Sequence, residues 1–427
     1  MNSLSLLFWI VSGILLQLTI YLGIVYWRHW MDYYALPNRE VLNLTVGGGK
    51  SRDVVDIRDV VDITVAARLE YRKFRVDRKV MEDACSSICS FFLVPEDGKP
   101  LPPFLPGQFL TFRIDLPVAM GGTQIIRCYS LSDAPCPDYY RVSIKRAPPP
   151  LGSHVPSGRS SNYFHDYVTI GSILRVRAPS GHFHIDRSKD PLVLIGGGIG
   201  ITPMLSMLNW CLVSQLGREV WLFYGVRNGR ELVMKSHLDA LALSHTNFHL
   251  LLCFSAPQPE DLVGRDYHHQ GRIDINLLRI QLPAKLYHFY ICGPTPMLES
   301  LIPALEDWKV PDTHIHFEAF GPSSIKRHNA RGSVTDAQNE AAKAIFVNFA
   351  QSGKQLQWPP LSGSLLELAE SQGISVNSDC RAGSCGSCQT KILSGEVAYR
   401  QPPDYDPEPG TCLLCICSPK TSITLEA

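Results

Sequence analysis

Three patterns of apolar and polar residues follow one another along the chain. No charged residue occurs from Met1 to Trp27. Between about residues 74 and 185, short β-rich runs such as QFLTFRIDL are separated by proline and glycine clusters, which is typical of a small antiparallel β-barrel. Between about residues 191 and 321, apolar runs such as PLVLIGG alternate with helical runs such as TPMLSMLNWCLVSQL. This alternation predicts an α/β domain whose parallel sheet is buried on both faces.

The first of these patterns predicts a transmembrane helix. Residues 4–27 would form a helix about 36 Å long, which is enough to cross a bilayer. Tyrosine and tryptophan residues crowd its C-terminal end, and Arg28 and Arg39 follow. The positive-inside rule therefore predicts a single-pass membrane protein with its N-terminus outside and its catalytic domains in the cytoplasm. A cleaved signal peptide is the alternative, but the segment lacks a basic beginning and an obvious small-residue cleavage site.

A multidomain protein is expected from these changes in pattern and from the chain length of 427 residues. The segment SSIKRHNARGSVTDAQNEAA is polar and rich in small residues, as a linker would be. The predicted units are an anchor at 4–27, a juxtamembrane linker at 28–64, a barrel at 65–187, a parallel-sheet domain at 188–321, a second linker at 322–342 and a last domain at 343–427.

Charge and cysteine content narrow the functional classes. Lysine and arginine together number 40 and so do aspartate and glutamate, which removes any general electrostatic reason to expect nucleic acid binding. Six of the 13 cysteines lie between Cys380 and Cys417. An odd total with such clustering indicates a metal site in a reducing compartment and argues against a disulfide framework.

The last domain contains the strongest motif in the chain. In DCRAGSCGSC, Cys380, Cys385 and Cys388 have the CxxxxCxxC spacing of a plant-type 2Fe-2S centre, which needs one more cysteine downstream. Small residues between these cysteines, Gly386 above all, would let backbone N–H groups approach the sulfides. A zinc ribbon would instead require paired CxxC motifs. The candidates for the fourth ligand are Cys412, Cys415 and Cys417.

Residues 344–427 resemble a plant-type ferredoxin domain throughout, including the opening AIFVNFAQSGKQLQW and the helical GSLLELAESQG. The resemblance implies an α+β fold of the β-grasp type. It also favours Cys415 as the fourth ligand, because LLCxxxP resembles the fourth-ligand segment of these ferredoxins. Cys412 and Cys417 stay open as alternatives.

Motifs in the barrel resemble the flavin site of the ferredoxin-NADP reductase superfamily. RCYS at 127–130 resembles its RxYS motif, and PGQF, IKR and GRSSNYFHD occur around it in the family's order. A guanidinium can bind a phosphate, an aromatic ring can stack on the flavin, and a hydroxyl can hydrogen bond its reactive nitrogen. The resemblance implies flavin contacts by Phe109, Arg127, Cys128, Tyr129, Ser130, Ile144, Lys145, Gly158 and Ser161.

Three further motifs in the α/β domain resemble the nucleotide half of the same superfamily. GGGIGITP follows an apolar strand and opens a helix, where glycines and a helix start can hold a pyrophosphate. ICGPTPM resembles the CGP motif beside the nicotinamide, and FEAFG resembles the end of the reductase domain. The residues implied in cofactor binding are Gly197, Gly198, Gly200, Thr202, Pro203, Cys292, Gly293 and Phe320. Ser130, Cys292 and Glu318 are the predicted catalytic residues.

The predicted cofactors are a flavin, a nicotinamide nucleotide and the 2Fe-2S cluster. FAD is favoured over FMN, because the barrel motifs look more like those of FAD-using members of the superfamily. NADH is favoured because CFSAPQPE offers no cation for a 2′-phosphate, although Arg227 and Arg230 leave NADPH open.

The order barrel, nucleotide domain, ferredoxin resembles the three-domain reductase components of oxygenases, such as phthalate dioxygenase reductase. This predicts an NAD(P)H:acceptor oxidoreductase that passes electrons from the nucleotide through the flavin to its own cluster, and then to an unidentified acceptor protein such as an oxygenase. One alternative is a flavin-dependent reductase of quinones or small oxidants with a sensing cluster. The other is a non-catalytic redox-binding module. The anchor departs from the family pattern, because those reductases are mostly soluble.

Overall fold

The computed structural model describes residues 70–149, 157–186, 188–215, 217–320, 345–359, 363–378, 380–381, 383, 385–399, 403 and 405–427. Within these residues three large sheets follow one another along the chain. The first and third each have one hydrophobic core, and the second has one on each of its faces. A multidomain protein with a barrel, an α/β domain and an α+β domain was expected, and the observed sheets agree with that expectation.

The first sheet is an antiparallel barrel. Its strands are hydrogen bonded in the order β4-β3-β6-β1-β2-β5, and a bridge between Leu131 and Val142 joins the two outermost strands. Helix α1 packs Phe164 into the barrel, where its ring centroid lies 5.3 Å from those of both Phe91 and Phe112. The elements are β1 Arg72–Met81, β2 Ile88–Pro95, β3 Phe109–Asp115, β4 Gln124–Ser130, β5 Tyr140–Lys145, α1 Arg159–Asp166 and β6 Ile173–Val176.

The second sheet is fully parallel, in the order β10-β9-β8-β7-β11-β12. Every residue of β7 and of β11 is buried, as expected for central strands covered by helices on both faces. The elements are β7 Leu192–Gly197, α2 Ile201–Ser214, β8 Val220–Val226, α3 Lys235–Ser244, β9 Phe248–Phe254, β10 His269–Gln270, α4 Ile275–Gln281, β11 His288–Gly293, α5 Thr295–Asp307 and β12 Ile315–Ala319.

The third unit has a five-stranded mixed sheet in the order β14-β13-β19-β15-β17, and a separate β16-β18 pair. Helix α6 begins with a capping box in which the Ser364 hydroxyl accepts from the Glu367 N–H and the Glu367 carboxylate accepts from the Ser364 N–H. The elements are β13 Phe346–Phe349, β14 Lys354–Gln357, α6 Leu365–Ser371, β15 Gln389–Ser394, β16 Val397–Tyr399, β17 Thr411–Leu413, β18 Cys417–Pro419 and β19 Ile423–Leu425.

The predicted localisation needs correction. In the part of the chain that the structure describes, no helix is both long and apolar enough to cross a bilayer. The apolar helix α2 has 14 residues and is therefore about 21 Å long, short of the roughly 30 Å of a hydrocarbon core. The anchor predicted at residues 4–27 lies outside the described residues. The prediction of a single-pass membrane protein with its N-terminus outside is contradicted.

Candidate functional site

The three predicted catalytic residues come together where the barrel meets the parallel sheet. Cys292 on β11 is paired in register with Gly196 on β7 and with Glu318 on β12, so the three stand side by side near the carboxyl ends of adjacent strands. Ser130, the last residue of β4, donates a long hydrogen bond of 3.5 Å from its hydroxyl to the Glu318 carboxylate. This edge of a parallel sheet is where α/β proteins bind their ligands.

Burial controls the protonation of this group. Desolvation raises the pKa of Glu318 to about 8, and the hydrogen bond from Ser130 lowers it only in part. Burial also raises the pKa of the Cys292 thiol well above its usual range, and the negative charge of Glu318 adds to the increase. Near neutral pH the site therefore presents a protonated carboxyl, a neutral thiol and a hydroxyl, so it can hold or donate protons without burying a net charge.

We expect Glu318→Gln to change how the stability of the cofactor-free protein depends on pH. The pKa of Glu318 is about 8 in the folded chain and 4.5 in the unfolded chain. Between these two pH values the folded chain keeps a proton that the unfolded chain has released. Wild-type stability therefore falls as pH rises through this window. Glutamine cannot ionise. The free energy of unfolding of the variant, relative to that of wild type, should therefore rise by roughly 3 kcal/mol from pH 5 to pH 8.

Urea denaturation at the two pH values measures this gain in the free energy of unfolding. Glu299→Gln is the matched control, because Glu299 is an exposed residue on helix α5. An equal pH response of wild type and Glu318→Gln would contradict the assignment of a raised pKa to Glu318.

The glycines at the end of β7 and in the loop after it pack closely against β11 and the residues that follow β11. A Cβ on Gly200 would lie 2.1 Å from the carbonyl oxygen of Cys292, and one on Gly197 would lie 2.8 Å from Cδ of Pro294. Helix α2 starts directly after this loop, with Thr202 buried and its hydroxyl donating to the Ile199 carbonyl. No side chain caps the first N–H groups of α2, so they can bind a phosphate.

Residues predicted to hold the flavin lie on β4 and at the start of helix α1. The hydroxyls of Tyr129 and Ser160 are hydrogen bonded at 2.8 Å, which ties β4 to α1. Gly158 precedes α1 without a side-chain cap, and a Cβ there would lie 2.8 Å from the Ser161 hydroxyl oxygen. These residues therefore fit a phosphate-bearing group, with backbone N–H donors at a helix start and the Arg127 guanidinium on the adjoining strand.

The remaining predicted flavin residues do not all face the same way. Phe109 pairs in register with Ser130, whereas Cys128 points to the other side of β4 from Arg127 and Tyr129, with its sulfur 3.4 Å from the Thr111 hydroxyl. Ile144 is fully buried and Lys145 lies 3.8 Å from Glu231. Phe320, the residue after β12, is 45% exposed.

The four favoured cluster ligands are neighbours in the last domain. A hydrogen bond between the thiols of Cys380 and Cys385 raises the pKa of Cys385. The corresponding contact between Cys388 and Cys415 lowers the pKa of Cys388 and raises that of Cys415. Among the described residues, no three ligating side chains converge on the position of a single metal ion.

Cys412 and Cys417 contact each other instead, which raises the pKa of the Cys417 thiol. The thiol contacts therefore group Cys415, and not Cys412 or Cys417, with the CxxxxCxxC cysteines. Four thiols in two hydrogen-bonded pairs fit a 2Fe-2S cluster as its ligands, because a cluster binds thiolates and these thiols share one region of the loop. The assignment of Cys380, Cys385, Cys388 and Cys415 as the cluster ligands is a proposal.

Two glycines shape the loop around these cysteines. Gly383 and Gly386 have φ values of +75° and +78°, which favour glycine, and a Cβ would lie 2.4 Å from Ile416 or 2.6 Å from the Tyr405 ring. The N–H of Ser387 donates to the Cys385 sulfur at 3.4 Å. Gly386 was predicted to permit the approach of N–H groups to sulfur, and the structure shows that it also makes room for Tyr405.

Sequence reasoning did not single out Ser160 or Tyr405. Ser160 lies inside GRSSNYFHD, but the motif gives no reason to expect its contact with the Tyr129 hydroxyl across the barrel. Tyr405 follows the cluster loop by 17 residues from Cys388, and only the fold brings it back against Gly386.

Comparisons with known proteins agree with this architecture. Residues 194–301 match the family described as oxidoreductase NAD-binding domain, and residues 347–420 match the family described as 2Fe-2S iron-sulfur cluster binding domain. A flavohemoprotein from Halalkalibacterium halodurans is 38% identical over 256 residues, which are 60% of this chain and 61% of that protein. The chain thus spans about three fifths of the length of this curated relative.

Two solved structures are also similar. The FAD/NAD-binding domain of nitric oxide dioxygenase from Vibrio cholerae aligns with 59% of this chain and 100% of its own, at 29% identity and a TM-score of 0.52. Phthalate dioxygenase reductase, described as a modular structure for electron transfer from pyridine nucleotides to [2Fe-2S], aligns with 84% of this chain and 98% of its own. Its identity is 26% and its TM-score is 0.48.

The predicted cofactors are confirmed at the level of domain type by these matches. The chain therefore contains regions that match an oxidoreductase NAD-binding domain and a 2Fe-2S cluster-binding domain, and its barrel and parallel sheet resemble the FAD/NAD-binding domain from Vibrio cholerae.

Proposed function

We propose that this protein is an NADH:acceptor oxidoreductase that moves electrons from NADH through FAD to its own 2Fe-2S cluster and on to an acceptor protein, such as an oxygenase. The observation that carries the proposal is the convergence of Ser130, Cys292 and Glu318 between the barrel and the NAD-binding domain. A group bound there would touch both the flavin-type barrel and the nucleotide loop.

When bound, FAD would accept a hydride and release electrons singly to the 2Fe-2S cluster. The chain's own residues prepare that exchange. The start of helix α2 and the glycine loop bind the pyrophosphate of the nucleotide, and Cys292 lines the position of the nicotinamide. The Ser130 hydroxyl is a hydrogen-bond donor at the junction of the barrel and the parallel sheet. Glu318 retains a proton near neutral pH because its pKa is about 8. The buried, neutral Cys292 thiol keeps water away.

The loops after β8 and β9 support NADH as the nucleotide. Glu231 binds Arg227, with Oε1 2.5 Å from Nε. Asp261 at the next loop accepts hydrogen bonds from the N–H groups of Gly229 and Gln258. The Glu231 and Asp261 carboxylates would repel a 2′-phosphate. Glu231 also engages Arg227, the nearby cation that could otherwise bind this phosphate. FAD is proposed over FMN because the similar Vibrio cholerae domain is described as FAD-binding.

We expect NADH to reduce both centres of the protein under anaerobic conditions. Adding one equivalent of NADH should bleach flavin absorbance first and then cluster absorbance, and NADPH should require a markedly higher concentration. Spectra recorded in a stopped-flow instrument separate the two phases. A protein that carries both cofactors but shows no flavin bleaching with either nucleotide would sink the proposal.

A further inference from the structure

One aspartate links the barrel to the helix that follows the glycine loop. Asp133 lies in the loop between β4 and β5, three residues after Ser130. Its Oδ1 accepts a hydrogen bond of 2.9 Å from Nδ2 of Asn209 on helix α2, and its backbone carbonyl accepts one of 2.7 Å from the Ser206 hydroxyl on the same helix. Two atoms of one loop residue are therefore attached to two positions on one helix.

The barrel holds the other oxygen of this carboxylate. Oδ2 of Asp133 accepts a hydrogen bond of 3.2 Å from the Tyr139 hydroxyl and lies 3.4 Å from Nη1 of Arg141 on β5. Nε of Arg141 also donates to the hydroxyl of the fully buried Ser132 at 3.2 Å. Only 10% of the Arg141 side chain and 20% of the Asp133 side chain are exposed. This ion pair holds one geometry, because breaking it would leave a charge unpaired and poorly hydrated.

The helix side of the link is fixed as well. The Asn209 amide oxygen accepts a hydrogen bond of 3.2 Å from Nε2 of His237 on helix α3, so both ends of this amide are used and its orientation is set. Beside the fully buried Ser206, Met207 packs against the barrel, since a Cβ on Gly107 would lie 2.5 Å from Cε of Met207. The polar link is therefore next to an apolar contact between the same helix and the loop before β3.

The link joins the two elements that carry the proposed cofactor contacts. On the barrel side, Asp133 follows Ser130 at the end of β4. On the nucleotide side, Ser206 lies about one helical turn after Thr202, at the start of the helix that we propose binds the pyrophosphate. The direct contact between the two domains at Ser130 and Glu318 is a long hydrogen bond of 3.5 Å. The Asp133 contacts therefore constrain the distance between the start of α2 and the end of β4.

We propose that Asp133 is a positioning residue for hydride transfer, which by attaching helix α2 to the end of β4 holds the nicotinamide of NADH at reacting distance from the flavin. The inference rests on the proposed function. The step that it affects moves a hydride, with both of its electrons, from NADH to FAD and leaves NAD⁺ and FADH⁻. Asp133 itself exchanges no proton or electron. A displacement of about 1 Å between reacting atoms can slow such a step roughly a hundredfold.

Anaerobic stopped-flow reduction of the full-length, FAD-loaded protein tests the proposal. Asp133→Ala should lower the limiting rate of flavin reduction at saturating NADH roughly 10- to 100-fold. The Kd for NADH should stay near that of wild type, because the start of helix α2 is intact. The long-wavelength absorbance of a nicotinamide stacked on a flavin should weaken in parallel. Asp138→Ala is the matched control, because Asp138 is exposed in the same loop, and it should match wild type.

A second set of variants separates positioning from general destabilisation. Asn209→Leu removes the same link from the helix side, so it should slow flavin reduction as Asp133→Ala does. Because both substitutions break one link, the double variant should be no slower than the slower single variant. Asp133→Asn keeps an oxygen that can accept from Asn209, so its limiting rate should exceed that of Asp133→Ala.

Hydrogen–deuterium exchange of the cofactor-free protein gives a readout that does not depend on activity. Amides of residues 205–212 should exchange faster in Asp133→Ala and Asn209→Leu than in wild type, because helix α2 loses its attachment to the barrel. Wild-type limiting rates, unchanged exchange, or independent rate losses that multiply in the double variant would each overturn the inference. Failure of the proposed function is distinguishable, because wild type itself would then show no flavin reduction by NADH. If Asp133→Ala does not fold or loses FAD, Asn209→Leu decides alone.

Discussion

Cys385→Ser will abolish cytochrome c reduction by NADH and will spare ferricyanide reduction. Serine lacks the soft thiolate that an iron-sulfur cluster needs, so the variant should lose the cluster or its function. Ferricyanide can take electrons from the flavin directly, and neither the barrel nor the NAD-binding domain contains this residue. The two activities, measured on the same preparation with flavin absorbance as the reference, report the two halves of the route. Equal loss of both would show that electrons do not pass through the cluster in this order.

Serine variants of the three downstream cysteines test which of them is the fourth cluster ligand. Cys415→Ser should behave as Cys385→Ser does, because the Cys415 thiol contacts Cys388. Cys412→Ser and Cys417→Ser should keep the cluster spectrum, because those two thiols contact each other. Loss of the cluster in Cys412→Ser or Cys417→Ser, together with its retention in Cys415→Ser, would move the fourth ligand away from Cys415.

The fold could be predicted from sequence for segments whose structure is determined by a single kind of interaction. The β7 strand is buried from Leu192 to Gly197 because a parallel sheet covers both its faces, and its uninterrupted apolar run predicts this directly. In the last domain, the CxxxxCxxC spacing alone predicts the type of metal site, because ligand spacing is set within one short loop.

Contacts between distant segments could not be predicted in the same way. Nothing near Tyr71 in the sequence indicates that the guanidinium groups of Arg113 and Arg177 will lie 4.4 and 4.6 Å from its ring centroid, because the barrel topology creates that contact. His288, His314 and His316 are another example. The His288 ring stacks on the rings of His314 and His316 near the starts of β11 and β12, and burial lowers the pKa of His316 to about 4. None of the sequence motifs includes these histidines, and their clustering depends on the register of these two strands.

The membrane localisation, which is not upheld, was predicted by a different kind of rule. Residues 4–27 meet the length and hydrophobicity rules for a transmembrane helix, and these rules consider only one segment at a time. The described chain contains no helix that meets the same rules. The nucleotide and cluster motifs combine residue type with an expected strand or helix on either side, and family matches at residues 194–301 and 347–420 agree with the domain types that they predict.

Gly200→Ala is the second substitution with a large expected effect, because it fills a space that the backbone of β11 occupies. The new Cβ would lie 2.1 Å from the Cys292 carbonyl oxygen and 2.8 Å from the Gly293 nitrogen. Neither atom is the end of a flexible side chain, so the loop and β11 must separate. A displacement of this kind costs about 3 kcal/mol, which corresponds to roughly a hundredfold weaker binding of NADH if the binding site bears the cost.

Flavin bleaching as a function of NADH concentration measures that loss. The ferredoxin-type domain should keep its cluster spectrum in Gly200→Ala, since it has a separate core. Gly217→Ala is the matched control at the other end of helix α2, where φ is +88° and a Cβ would have no neighbour within 4 Å. Alanine at Gly217 should cost only the roughly 1–2 kcal/mol of a left-handed backbone and leave NADH binding near wild type. Wild-type NADH affinity in Gly200→Ala would mean that the loop and β11 do not form the nucleotide site together, because their close contact would then be dispensable for binding.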